Sequence, residues 1–240
     1  FYSASVRSDD FQMPPHRQAV PLAANFFRHS NSKCIFMGRL LRPLLFFLTL
    51  FVTICTYSQQ TFKWTDADRK FLVDNLERTK LEIIKDTRGL TTEQWAYRED
   101  STKWSIGQVL EHLGLYERIF AQEADIMLSS KPDPQLDSLS LPDTSYINWM
   151  NDPSPHKAEW NAEPLGLIKG IDNLSFYLFG RNHIIDFIKN TTYDLKAHFT
   201  YRWGKEQRRS IHALMVVHFG HTDRHLKQIN RIKNEPKFPM

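Results

Sequence analysis

The sequence predicts an all-α protein, a four-helix bundle with a long crossover between its second and third helices. Three observations carry this. Four stretches repeat apolar residues at steps of three and four, the period of a helix with one buried face. One connection, residues 130–164, contains six prolines and is too long to be a simple turn. The rest of the chain holds no internal repeat and no low-complexity tract, and only residues 191–207 alternate weakly enough to suit a short strand or a loop. Four amphipathic helices with one long connection are the parts of a bundle.

The first helix is expected over about Asp66–Asp86. Thr65 is its N-cap, and Phe71, Leu72, Leu76, Ile83 and Ile84 supply its apolar face. The second spans Ile106 to about Leu128. Its start reads Ser105-Ile106-Gly107-Gln108, the S-x-x-Q form of a capping box that ties down free amides at a helix start. The third covers roughly Leu165–Lys189. The fourth runs from about Arg208 to Lys233 and stops before Pro236.

The segment ahead of these helices reads differently. From Met37 the chain runs MGRLLRPLLFFLTLFVTICTYSQQ: basic Arg39 and Arg42, an apolar run over Leu44–Ile54, then small and polar residues up to Ser58. That order predicts a signal peptide over 37–58 and an exported protein, with an uncleaved membrane anchor as the alternative. Residues 1–36 make little sense ahead of a signal peptide and are expected to be a non-native upstream extension, with Met37 as the start. If Met37 is not the start, a cytoplasmic protein is expected. The domain proper is then 61–240.

This division removes one function class. The chain carries a formal +4, and the first 60 residues hold six basic residues against two acidic ones, which accounts for all of it. The domain is left with 25 residues of each sign, so the basic isoelectric point is no argument for nucleic-acid binding. Both cysteines, Cys34 and Cys55, also lie outside the domain. A disulfide, a thiolate nucleophile and a cysteine metal ligand are therefore not expected in it.

The stretch HFGHTDRHLKQI, residues 218–229, carries the chemistry. On a helix, Ile211, Leu214, His218, His221, His225 and Ile232 fall on one stripe, apolar apart from the imidazoles. A buried neutral imidazole needs a partner for each ring nitrogen, and helix carbonyls are already used. Val109, His112, Tyr116 and Ile119 share one side of the second helix, so His112 can face inward too. His221 and His225, one turn apart, together with His112 make a three-nitrogen set of the kind that leaves a metal one open position. His218, also inward but one turn away, is a candidate catalytic acid–base group, an alternative ligand or a packing residue. Gln228 and Tyr116 are placed to support the site from behind.

At these residues the chain resembles the DinB/YfiT-like metal-binding four-helix bundles. The family places a histidine after a W-[ST]-x6 signature on its second helix, matched by WSIGQVLEHL (104–113). It places an H-x-x-x-H pair followed by glutamine on its last helix, matched by HTDRHLKQI (221–229). LTTEQWAYR (90–98) is similar to the family's link between the first two helices, and the likeness spans about residues 64–235. The resemblance implies a bundle holding a divalent metal ion, zinc or nickel in most cases. It also implies either a metal-dependent hydrolase or an S-transferase using a small thiol cofactor such as bacillithiol or mycothiol. Export departs from the pattern, because such thiols belong to the cytosol, and weakens the transferase reading.

The expected function is therefore a metal-dependent enzyme, with hydrolysis first. The alternatives are thiol transfer or a non-catalytic metal- or ligand-binding bundle. Glu111, Glu117 and Asp223 are further candidates for proton transfer but are better read as solvated or salt-bridged. Trp95, Trp104 and Trp203 read as core, and His156, His183, His198 and His212 as surface or loop residues. The expected partners are an unidentified small-molecule substrate and, as an open alternative, a second copy of the chain in a homodimer; nucleic acid is not expected.

Overall fold

A computed structural model describes residues 64–154, 157–202 and 205–240, with side chains outside 201–206. The expected upstream extension and signal peptide, together with His156 and Trp203, lie outside the described residues. Six α-helices and one hairpin follow in order: α1 Asp66–Thr87, α2 Thr92–Ala96, α3 Ile106–Leu128, α4 Asp143–Asn151, α5 Asp172–Asn190, β1 Phe199–Arg202, β2 Lys205–Ser210 and α6 Ile211–Lys233. The long helices α1, α3, α5 and α6 form the bundle.

Each long helix starts where its local chemistry directs. Thr65 caps α1, its hydroxyl accepting from the Asp68 amide while the Asp68 carboxylate accepts from the Thr65 amide. Ser105 and Gln108 close the same reciprocal box on α3. Ser210, the last residue of β2, caps α6 through the Ala213 amide. The fourth helix therefore starts at Ile211 rather than Arg208, because the preceding residues pair in the antiparallel hairpin Phe199↔Ser210, Thr200↔Arg209. α5 starts at Asp172 rather than Leu165. Gly166 and Gly170 take φ of +68° and +52°, left-handed conformations that interrupt a helix. The 130–164 connection is not structureless: it carries α4 and two short 3₁₀ turns, Pro134–Leu139 and Trp160–Ala162.

In the bundle α1 and α3 each pack against both α5 and α6. Side-chain contacts fix the directions. Arg69 near the start of α1 donates to the carbonyl of Ile188 near the end of α5, so these two are antiparallel. Arg78 meets Asp223, and Lys233 reaches the carbonyl of Asp86, so α1 and α6 run in parallel. Ile106 and Leu110 share one apolar cluster with Leu174, Ile83 and Ile229, while Phe120 and Met127 share another with Ile188, Leu72 and Leu214. α3 and α5 thus also run in parallel. A 23-residue helix is about 35 Å long, and the chain must travel back along that length before α5 can start beside α3. The long crossover is the geometric consequence, and α4 lies along it against α6.

The two apolar clusters are separated by a polar layer to which all four long helices contribute. Arg181 of α5 is fully buried. Its guanidinium donates to Glu117 Oε1 of α3 (2.7 Å), Thr222 Oγ1 of α6 (2.7 Å) and Thr79 Oγ1 of α1 (2.7 Å). Glu117 Oε2 lies 2.9 Å from His218 Nε2. Gly180 lets this layer form, since a Cβ there would fall 2.5 Å from the Glu117 Cβ. Burial pushes the Glu117 carboxyl up, but Arg181 and His218 outweigh it and hold the group below the usual carboxylate range.

Candidate metal centre

Beside this layer, on the side facing the crossover, three histidines meet. His112 projects from the buried face of α3; His221 and His225 project from α6 one turn apart. His112 and His225 are buried, 3% and 7% exposed, and His221 is half-buried. His221 Nε2 lies 3.3 Å from His112 Nε2 and 3.1 Å from His225 Nε2. One nitrogen from each ring falls within 4.8 Å of the others. Nitrogens bound at about 2.1 Å around one tetrahedral ion stand roughly 3.4 Å apart, close to the two spacings through His221.

The outer nitrogens fix which atoms face the centre. His112 Nδ1 donates to the carbonyl of Ala162 (2.7 Å), and His225 Nδ1 to Oε1 of Gln228 (2.8 Å). A neutral imidazole with its proton on Nδ1 presents a lone pair at Nε2. Two lone pairs thus aim at His221 Nε2, which can offer at most one proton. An electron-rich focus of this kind could hold a metal ion. Tyr116 and Trp104 wall the site. The Tyr116 ring centroid is 4.5 Å from that of His221, and the Trp104 centroid 4.8 Å from that of His112. Burial, and then the nearby Glu159 carboxylate, push the Tyr116 hydroxyl pKa up, so it stays protonated at neutral pH.

The His218 ring is tilted against that of Phe120, centroids 4.5 Å apart, and is 1% exposed, with Nε2 turned to Glu117 and not to the three-histidine focus. Of the carboxylates, Asp223 is salt-bridged to Arg78 as expected, and Glu117 is paired within the core. Glu111 is neither solvated nor salt-bridged: it is buried and accepts from the amides of Leu165 (3.1 Å) and Gly166 (2.8 Å). Trp95 is core. His183 is exposed; His198 lies in a loop as expected but is buried, and His212 is buried within α6, which corrects its reading as a surface or loop residue. His212 joins Trp64 Nε1 (3.2 Å) to Asp143 (3.0 Å) and anchors α4, while His198 contacts the Met127 carbonyl. The Ala162 carbonyl could not be assigned from sequence, because nothing local marks it.

Burial lowers the imidazole pKa of His112 to about 4, with the Ala162 carbonyl opposing. Burial and then the neighbouring His112 lower that of His225 to about 3. These folded values lie below the unfolded value of about 6.5. As pH falls, the unfolded chain takes up protons first, so stability present above pH 6.5 is lost progressively towards pH 3–4. Each such group contributes up to about 1.4 kcal/mol per pH unit in that window. Urea midpoints of the metal-free protein between pH 7.5 and 4.5 should fall accordingly, and His225→Leu should flatten the profile. A wild-type profile no steeper than that of His225→Leu would contradict the burial of a neutral ring.

A family model for the DinB superfamily matches residues 76–229, a span that starts inside α1 and ends after Gln228. No curated protein matches the chain.

Proposed function

The chain belongs to the DinB superfamily, and from that premise we propose that it is a metal-dependent enzyme of hydrolytic type, holding one divalent ion on His112, His221 and His225. The observation that carries this reading is the convergence of three Nε2 atoms, with the Nδ1 atoms of His112 and His225 already committed to Ala162 and Gln228. Three protein ligands leave a coordination position for a reactant, which distinguishes a catalytic arrangement from a closed structural one. When bound there, a divalent ion supplies Lewis acidity to a coordinated water or carbonyl group.

The chain's own residues do the rest. Ala162 and Gln228 keep His112 and His225 in the tautomer that binds metal. Trp104 and Tyr116 narrow the approach and exclude bulk water. Tyr116 carries a protonated hydroxyl at the rim, suited to donating a hydrogen bond to a substrate oxygen. His218 is a less direct participant: it stiffens the turn of α6 that carries His221, through Glu117.

The thiol-transferase reading remains the second one. The apolar run over residues 44–54 favours export, and export favours hydrolysis over a cytosolic thiol cofactor. The test is an assay of the zinc- and nickel-loaded protein against activated carboxylic and phosphoric esters, with and without low-molecular-weight thiols. Turnover that needs the ion and no thiol is expected. Turnover appearing only with thiol assigns the transferase chemistry instead, and a loaded site inert in both assays assigns metal binding alone.

A further inference from the structure

Glu111 and His112 are neighbours on α3, and both reach across to one short strap of the crossover. His112 Nδ1 donates to the carbonyl of Ala162, and the Glu111 carboxylate accepts from the amides of Leu165 and Gly166. Ala162 is fully buried, Pro164 is buried with its φ fixed by its ring, and Gly166 sits at φ +68°. The amides of the successive residues Leu165 and Gly166 face the same side, where a single carboxylate takes both. Glu111 is 4% exposed, and among the described residues it forms no salt bridge. A buried carboxylate is costly unless its oxygens are bonded, so a neutral side chain would serve better if only shape were needed. Charge-assisted bonds to backbone amides are roughly twice as strong as neutral ones, and here they locate the strap that carries the carbonyl partner of His112.

We propose that Glu111 is a positioning residue for the metal site: it clamps residues 162–166 so that the Ala162 carbonyl holds His112 with Nε2 towards the ion. This rests on the metal-binding reading above. The carboxylate touches neither metal nor substrate, and its effect passes through the strap to the His112 ring. Since coupling between two equilibria is reciprocal, an ion on His112 must in turn tighten the strap.

The experiment titrates the full domain with Zn2+ against a chelating indicator, for wild type, Glu111→Gln, Glu111→Ala and the control Asp223→Asn. Amide hydrogen exchange is followed on wild type with and without Zn2+. Zinc affinity should fall about 10- to 100-fold in both Glu111 variants, the range for loss of a group that orients a ligand, and stay unchanged in Asp223→Asn. In wild type, zinc should slow exchange at Leu165 and Gly166 more than in α1. Affinity within about twofold of wild type in the Glu111 variants, or amides at 165 and 166 indifferent to zinc, would overturn the proposal and leave Glu111 as a loop anchor only. The wild-type exchange measurement decides the matter even if the variants fold poorly. Wild type that takes up no zinc would sink the metal reading itself, and the titration reports that before any variant is compared.

Discussion

His221→Ala should reduce divalent-metal binding from one ion per chain to none that survives gel filtration. Of the three rings, His221 is the one whose Nε2 lies within 3.3 Å of both others, so its removal leaves two nitrogens with no shared third. Apparent binding energies of structural zinc sites are roughly 10–16 kcal/mol, so one ligand in three corresponds to at least about 3 kcal/mol, or more than about a hundredfold in affinity. His112→Ala and His225→Ala should behave alike, because each also frees a fixed partner, the Ala162 carbonyl or the Gln228 amide. His218→Ala should keep the ion, since its Nε2 faces Glu117. Elemental analysis after dialysis against zinc or nickel separates these outcomes. Unchanged metal content in a variant lacking all three rings would remove the metal reading and leave a core stripe of unusual polarity.

The second large effect concerns the polar layer. Arg181→Met leaves the Glu117 carboxylate at 1% side-chain exposure without its cation, and two threonine hydroxyls without their donor. Breaking a buried pair by removing one partner costs about 3–5 kcal/mol. That is a large part of the stability of a domain this size. Replacing both partners, Arg181→Met with Glu117→Leu, should recover much of the loss, because no uncompensated charge remains. Urea unfolding of the single and double variants measures both steps. A single variant as stable as wild type would mean that water reaches the layer and the pair is not truly buried.

The parts of this arrangement were readable to different depths. The four long helices follow from periodicity and caps, which are local: Thr65–Asp68 and Ser105–Gln108 satisfy free amides within four residues of one another. The pairing of His221 with His225 follows from helical pitch alone. A signal for the polar layer was also there, since Arg181 falls on the buried stripe Leu174, Tyr177, Ile184, Ile188, and Glu117 on the stripe Leu110, Leu113, Phe120, Ala124. A charge in such a stripe requires an opposite charge from a facing helix. The burial of His198 and His212 depends on the hairpin and on α4, elements that weak alternation and a proline-rich stretch do not announce.

Periodicity and caps, which act within a few residues, were enough to place the four long helices, except for the starts of α5 and α6, and to put the three imidazoles on apolar faces. What those rings meet depends on how the helices pack. The parallel run of α3 and α5 forces the crossover back along the bundle, and that return brings Ala162 to His112 and residues 165–166 to Glu111. Such contacts join positions about fifty residues apart through backbone groups that every residue carries, so no side-chain pattern encodes them; they exist only once the helices have packed.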